Sequence, residues 1–260
     1  MTGLSLKLLF LEFRKMWNLS VIIMSSILLF VSLLVNFIPY LVGAYGIEGP
    51  IHQLDSVALL SQGFTILVPL LSLIFGAGII SNDIKNHWIR TILSRPVTRA
   101  DYLLTKIIST SLTIFILMLI IGTLPVTILS LIVPINVEFN FIKFIFIHGL
   151  YLGEAFTYIT IASLLSMWLP GFVNVIIIVV WLLSNSILTT LVNNYFWDSN
   201  IALIIADFYF PGGFREAAES VISNSKFPLE KLLWGFSSLF AFLALALYNF
   251  TLIQIDKGVD

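Results

Sequence analysis

The chain has 260 residues, of which 59% are hydrophobic and only 10% are charged, and its mean hydropathy is +1.04. One soluble core of this size cannot bury so much apolar surface, so the composition predicts an integral membrane protein. The formal net charge of −1 argues against a nucleic-acid surface, which needs clustered positive charge. The absence of cysteine excludes disulfides and thiolate-ligated metals.

Residues 3–18 form the first predicted element. Leu8 and Leu11 lie on one side of a helical wheel, and Arg14 and Lys15 lie toward another. This pattern is typical of an amphipathic helix that lies in the membrane interface. The alternative is a cytoplasmic extension of the first membrane helix.

Six apolar stretches reach the length of about 20 residues that a helix needs to cross a membrane. The fold class that they predict is all-α, with six transmembrane helices and both termini on one side. The predicted spans lie at 19–42, 60–81, 107–133, 141–168, 172–192 and 232–253 of a single transmembrane domain, 1–260.

The distribution of basic residues predicts the orientation. The N-terminal segment, the 82–106 loop and the tail carry nine of the thirteen Lys and Arg residues. Because loops rich in Lys and Arg stay inside, these segments and both termini are expected to be cytoplasmic, in a multi-pass plasma-membrane protein.

The outer connection 193–231 is long and unusually apolar. Its run 201–210 is too short to span a membrane, so we expect either a re-entrant piece in the outer leaflet or a packed extracellular loop. After a break at Pro211, residues 214–222 predict a short amphipathic helix, with Arg215 and Glu219 on its wet side.

Glu154 is the one acid near the middle of a predicted span. A carboxylate there costs several kcal/mol unless it is paired, hydrated or protonated, so Glu154 is a candidate for the translocation pathway. The alternative is a structural, protonated side chain bonded to a neighbouring helix. Gly149 and Gly153 form a GxxxG step beside it that permits close helix approach.

Three asparagines also fall in predicted spans. Asn36 and Asn185 are pathway candidates, and Asn174 belongs to the same group. Each of them either lines a pathway or makes an interhelical hydrogen bond, which is worth about 1 kcal/mol in membranes.

No catalytic constellation is visible. The chain has no GxSxG, HExxH or GxxxxGK[ST] motif, and its three histidines are scattered, so we expect no catalytic residues and no metal site. The chain is therefore not expected to be an enzyme or to bind and hydrolyse ATP by itself.

The loop from Ile79 to Lys106 holds the densest charge in the chain, and its second half reads LSRPVTRADYLLTK. This stretch resembles the ABC-2 type permeases, the membrane subunits of ATP-driven exporters, which have a Ser-x-Pro-x-x-Arg element and a downstream Lys that opens the third span. The matching residues are Gly76, Gly78, Asp83, Leu93, Ser94, Pro96, Arg99, Leu103 and Lys106. The first half of the loop departs from the family pattern at 85–88.

The resemblance implies that 84–95 is a coupling helix that docks on a separate ATPase. Arg90 and Arg95 would pair with acids of that partner, and Pro96 would end the helix. Arg99 and Lys106 would hold the loop against phosphates of the partner or of lipid. Asp83 and Leu93 complete the expected coupling residues.

The resemblance also implies the partners. They are two copies of a cytoplasmic ABC ATPase that binds ATP and Mg²⁺, a second copy of this chain or a homologous permease, and membrane lipid, with no nucleic acid. The pathway would lie between the two permeases, formed by the first, second and fifth spans. The cargo would be amphipathic or hydrophobic and would move outward.

Two alternative functions are consistent with the membrane composition. The first is a transporter driven by an ion gradient, with Glu154 as the ion carrier; that class predicts internal repeats and more intramembrane charges, and neither is visible. The second is an intramembrane enzyme that uses His148 and Glu154, whose spacing of six aligns them poorly on one helix face.

Overall fold

The structure is a computed structural model. It describes residues 6–18, 21–23, 25–31, 56–86, 88–93, 97–132, 141–195, 201–202, 205, 209, 211–223 and 228–252. Every regular element within these ranges is a helix, so the all-α prediction is confirmed.

Ten helices have defined bounds among the described residues, and residues 201–202 and 205 are also helical. They are α1 (Leu6–Met16), α2 (Val21–Val31), α3 (Ser56–Gly76), α4 (Ser81–Lys85), α5 (Trp88–Leu93), α6 (Arg99–Ile132), α7 (Phe141–Ser166), α8 (Gly171–Tyr195), α9 (Gly213–Ile222) and α10 (Leu229–Leu252).

Five helices of the described chain are long and apolar enough to cross a membrane, or up to six if the bent pair α1–α2 counts as one span. Helices α1 and α2 meet at 65°. This bend suits an interfacial helix that turns into a first span, of which the structure describes only the part up to Val31. The rest of 19–42, with Asn36, lies outside the described residues.

The helix of the third span begins earlier than the sequence predicted. Helix α6 begins at Arg99 and not near 107, because Thr98 caps it. The Asp101 N–H donates to Thr98 Oγ1 at 3.0 Å, and the Thr98 hydroxyl donates to Asp101 Oδ2 at 2.7 Å. This reciprocal cap supplies a partner for an otherwise unbonded N–H group of the first turn.

Helix α7 lies at the centre of the bundle and packs against α3, α6, α9 and α10. In the membrane-length windows of α6 and α7, 61% of the residues are buried, whereas the corresponding values are 12% for α8 and 17% for α10. The outer faces of α8 and α10 are therefore available to lipid or to another subunit.

The described bundle has two distinct ends. The α1 end comprises α1, α4, α5, the start of α6, the α7–α8 turn and the end of α10. The α9 end holds α9 and the opposite ends of α7 and α10. The α1 end is held together by contacts of α4 with α7 and of Arg99 with α10.

Helix α9 covers the predicted amphipathic segment and begins at Gly213. Phe214, Ala217 and Ala218 are buried on one side, and Arg215 pairs with Glu219 at 3.1 Å on the other. The re-entrant run predicted at 201–210 lies largely outside the described residues.

Glycines let α9 lie close to its neighbours. A Cβ added at Gly153 or at Gly235 would be 3.0 Å from the ring of Phe214, so this ring sits between α7 and α10. A Cβ added at Gly213 would be 2.5 Å from backbone atoms of Lys231 and Gly235. Of the two glycines in the predicted GxxxG step, only Gly153 permits a close contact, because a Cβ at Gly149 would meet nothing within 4 Å.

Candidate functional site

The segment between α3 and α6 is the candidate coupling site, and it differs from the single helix predicted at 84–95. Helix α4 ends at Lys85, with Asn86 as its C-cap, and α5 begins at Trp88. Two short helices thus replace one. Ile89 is buried, whereas half of the Trp88 surface is exposed, so α5 is anchored on one side and open on the other.

A buried ion cluster ties α4 to two other helices. The ammonium of Lys106, on α6, lies 2.5 Å from Asp83 Oδ2 on α4 and 2.7 Å from Glu12 Oε2 on α1. The Tyr102 hydroxyl donates to Asp83 Oδ2 at 2.5 Å. Only 3% of the Lys106 side chain is exposed, so one cation bridges two carboxylates in a nearly closed site.

Lys15 closes the cluster on its outer side. Its ammonium donates to Asp83 Oδ1 at 3.3 Å and lies 5.2 Å from the centre of the Trp88 ring. About half of the Lys15 side chain is exposed, so this pair is more strongly screened than the pairs of Lys106. Through Lys15, α1 contacts both α4 and α5.

A cavity of about 480 Å³ borders the cluster between α1, α2 and α4. Lys15, Asp83, Lys106 and Trp88 line its polar side, while its apolar side includes Ile74. The cavity lies beside the half-exposed Lys15, whereas Lys106, Glu12 and Asp83 are almost completely closed off from solvent.

The structure corrects the expected role of Lys106. The sequence predicted contact with phosphates of lipid or of a partner, but the ammonium is enclosed by carboxylates of its own chain. Glu12 was missed entirely. The available signal was its position four residues after Leu8, which places an acid on the apolar stripe of α1.

Arg99 also makes an intramolecular contact where a phosphate contact was expected. Its Nη1 donates to the carbonyl oxygens of Phe250 at 3.3 Å and Thr251 at 3.0 Å. These carbonyls lie at the C-terminal end of α10, where a cation is favoured by the helix dipole and by unbonded C=O groups. Arg99 therefore joins the start of α6 to the end of the last span.

The other predicted coupling residues stay predictions. Arg90 and Leu93 fall on α5, and their side chains lie outside the described part of the structure. Arg95 and Pro96 lie outside the described residues.

Glu154 is fully buried within one subunit, on α7. Neither of its carboxylate oxygens has a hydrogen-bond partner of regular geometry among the described residues. Tyr158, one turn further along α7, and Arg215 on α9 act on its charge. Burial acts to lower the pKa of Arg215, but its hydrogen bond to Glu219 and the charges of Glu154 and Glu219 raise that pKa overall.

Glu154 stays a pathway candidate, but it lies on the fourth span, whereas the predicted pathway between two permeases uses the first, second and fifth spans. Its side chain is fully buried where the fourth span packs against the second, third and sixth spans. Asn185 lies on the outward α8 and is only partly buried, a position that suits the predicted pathway better.

The comparisons with known proteins agree with this layout. The family model described as ABC-2 family transporter protein matches residues 6–252. None of the curated proteins matches the chain at a significant level. Because the family model covers nearly the whole sequence, from α1 to the end of α10, the chain belongs to the ABC-2 family of transporter proteins.

Proposed function

We propose that this permease couples to a separate cytoplasmic ABC ATPase through α4 and α5 and exports an amphipathic or hydrophobic substrate. ABC-2 permeases in general work with ABC ATPase partners. One observation carries the proposal for this chain: a short, partly exposed helix, α5, follows directly on α4, and buried ion pairs tie α4 to α1 and α6.

The chemistry of the ion cluster supports a mechanical role. Breaking a buried pair leaves an unpaired charge and costs several kcal/mol, so displacement of α4 relative to α6 is strongly opposed. A push on α5 would therefore move α4 and α6 together. This is the behaviour that a coupling segment needs, because closure of two ATPase subunits must tilt whole spans.

In the proposed assembly the α1 end and both termini face the cytoplasm. Two ATPase copies hold ATP and Mg²⁺, and this chain carries out no catalysis. A second copy of the chain or a homologous permease packs against the outward faces of spans that include α8, and Asn36, Asn185 and Glu154 are the pathway candidates. The excess of basic residues on the predicted inner side supports this orientation.

The proposal is tested by co-expressing the chain with a candidate ABC ATPase from the same genome and purifying the complex by a tag on the permease. We expect a complex with two copies of each subunit in native mass spectrometry. A chain that purifies without any ATPase, and transports under a proton gradient alone, would overturn the proposal and favour the gradient-driven alternative.

A further inference from the structure

We propose that Ser166 and Asn174 are positioning residues that carry movement of α4 and α5 into α7 and α8. The inference rests on the proposed function, because it concerns how the ATPase stroke reaches the spans beyond the coupling segment. Neither residue touches the ion cluster, and both have no exposed surface.

The regular helical hydrogen bonds are interrupted between α3 and α4. In a continuous helix, the N–H groups of Ile80 and Ser81 would donate to the carbonyls four residues earlier. Here both N–H groups donate to Ser166 Oγ, at 3.0 and 2.9 Å. The last residue of α7 thus accepts the hydrogen bonds that the broken helix no longer makes.

In a continuous helix the Ala77 carbonyl would accept the N–H of Ser81, which here donates to Ser166 instead. Asn174 Nδ2 donates to this oxygen at 3.0 Å and to the carbonyl of Ala162 at 2.8 Å. Both acceptors are oxygens, so the NH₂ group must face them. One amide from the first turn of α8 therefore joins the broken span to α7.

At the same place the backbone of the break lies close to α7 and to the start of α8. A Cβ added at Gly171 would lie 3.3 Å from the Ala77 carbonyl oxygen and from Gly78 Cα. A Cβ added at Gly76 would lie 2.7 Å from Ala162 Cβ. Because no long side chain separates the backbones, displacement of the break is transmitted directly to the α7–α8 turn.

Helix α4 is thus fixed on two sides. Asp83 connects it to α1 and α6 through Lys15 and Lys106, and the break just before it is hydrogen-bonded to α7 and α8. Backbone groups at membrane depth without partners cost several kcal/mol each, so the second connection resists separation as the first does.

The test uses the complex with its ATPase and exploits the absence of cysteine from the chain. An environment-sensitive fluorophore is attached at Asn86→Cys, in the exposed turn after α4, or at Phe172→Cys, whose native side chain is 77% exposed on α8. The change in emission is recorded when the complex is trapped with ATP, Mg²⁺ and vanadate. The same change is then measured with Ser166→Ala and Asn174→Ala combined.

We expect the parent complex to respond at both positions, and the double variant to respond at position 86 but not at 172. The matched control is Ser163→Ala. Ser163 is equally buried on α7 but donates only to Thr160 of its own helix, so this variant should keep both responses. If the double variant does not assemble, each single substitution is measured, with loss at 172 again expected.

A full response at position 172 in every assembled variant would overturn the inference and leave the proposed function intact. A parent complex that forms with the ATPase and responds at 86 but not at 172 would do the same. A parent chain that binds no ATPase, or that responds at neither position, would instead contradict the proposed function itself.

Discussion

The two ends of the bundle are held together by different kinds of contact. At the α1 end, a buried lysine bridges two carboxylates, and side chains replace the hydrogen bonds of a broken helix. At the α9 end, one aromatic ring packs between two glycines, and the ion pairs of α9 lie at the surface. Buried ion pairs and hydrogen bonds therefore hold the α1 end, where we propose that the ATPase acts. Close steric packing holds the α9 end, which we propose to be the outer side.

The largest expected effect concerns the ion cluster. Lys106→Met leaves two carboxylates facing each other in a buried site and should destabilise the protein by about 3–5 kcal/mol. Lys15→Met removes the half-exposed cation of the same cluster and should cost less than about 1 kcal/mol. Thermal unfolding in detergent, followed by tryptophan fluorescence, compares the two. Equal losses would mean that the α1 end does not depend on the buried pairs.

The next largest effect is expected at the α9 end. Gly213→Ala places a Cβ against backbone atoms of α10 and should cost about 1–3 kcal/mol through overpacking. Gly149→Ala adds the same methyl group where nothing lies within 4 Å and is the matched control. Hydrogen exchange should show faster opening of α9 in the first variant alone. Unchanged protection of α9 would contradict the close packing described here.

A smaller effect is expected at Tyr102. Tyr102→Phe keeps the ring that stacks on Phe250 but removes the hydroxyl that donates to Asp83, at a cost of about 1.5 kcal/mol. In an Asp83→Asn background the same substitution should cost less, because the charged acceptor is gone. A double-mutant cycle on thermal stability measures this coupling, and additive losses would argue against it.

The smallest effect is expected at Glu154. Among the described residues the Glu154 carboxylate has no hydrogen-bond partner of regular geometry, and glutamine has nearly the same volume, so Glu154→Gln should leave assembly and stability almost unchanged. Size-exclusion chromatography of the complex checks this outcome. Loss of folding would show that Glu154 has a structural role, and loss of transport alone would support its predicted role in the pathway.

Sequence reasoning succeeded where length and hydropathy decide the outcome. Long apolar runs at α7, α8 and α10 can form little else but membrane helices, and the amphipathic pattern at 214–222 predicted α9. The start of α6 was misplaced, because the charges of Arg99 and Asp101 favoured a loop, whereas the Thr98 cap and the contact of Arg99 with α10 extend the helix.

The site was harder to predict, because its contacts join residues far apart in sequence. Glu12 and Lys106 look like ordinary charges near a membrane surface until the fold brings them within 2.7 Å. For Asn174 we expected either a position in the pathway or an interhelical hydrogen bond, and the side chain makes such a bond. Nothing in its neighbourhood indicated that its acceptor would be Ala77, in the break of the second span.

The central claim is that the coupling segment, with Arg90 on α5 and Arg95 after it, docks on an ATPase. The most direct measurement is the ATP hydrolysis rate of the purified complex in liposomes. We predict that Arg90→Glu and Arg95→Glu abolish the rise in rate that the permease confers on its ATPase. Arg14→Glu, which reverses an exposed cation on α1 at the same end, should keep it. If all three variants hydrolyse ATP like the parent complex, α5 is not the coupling element.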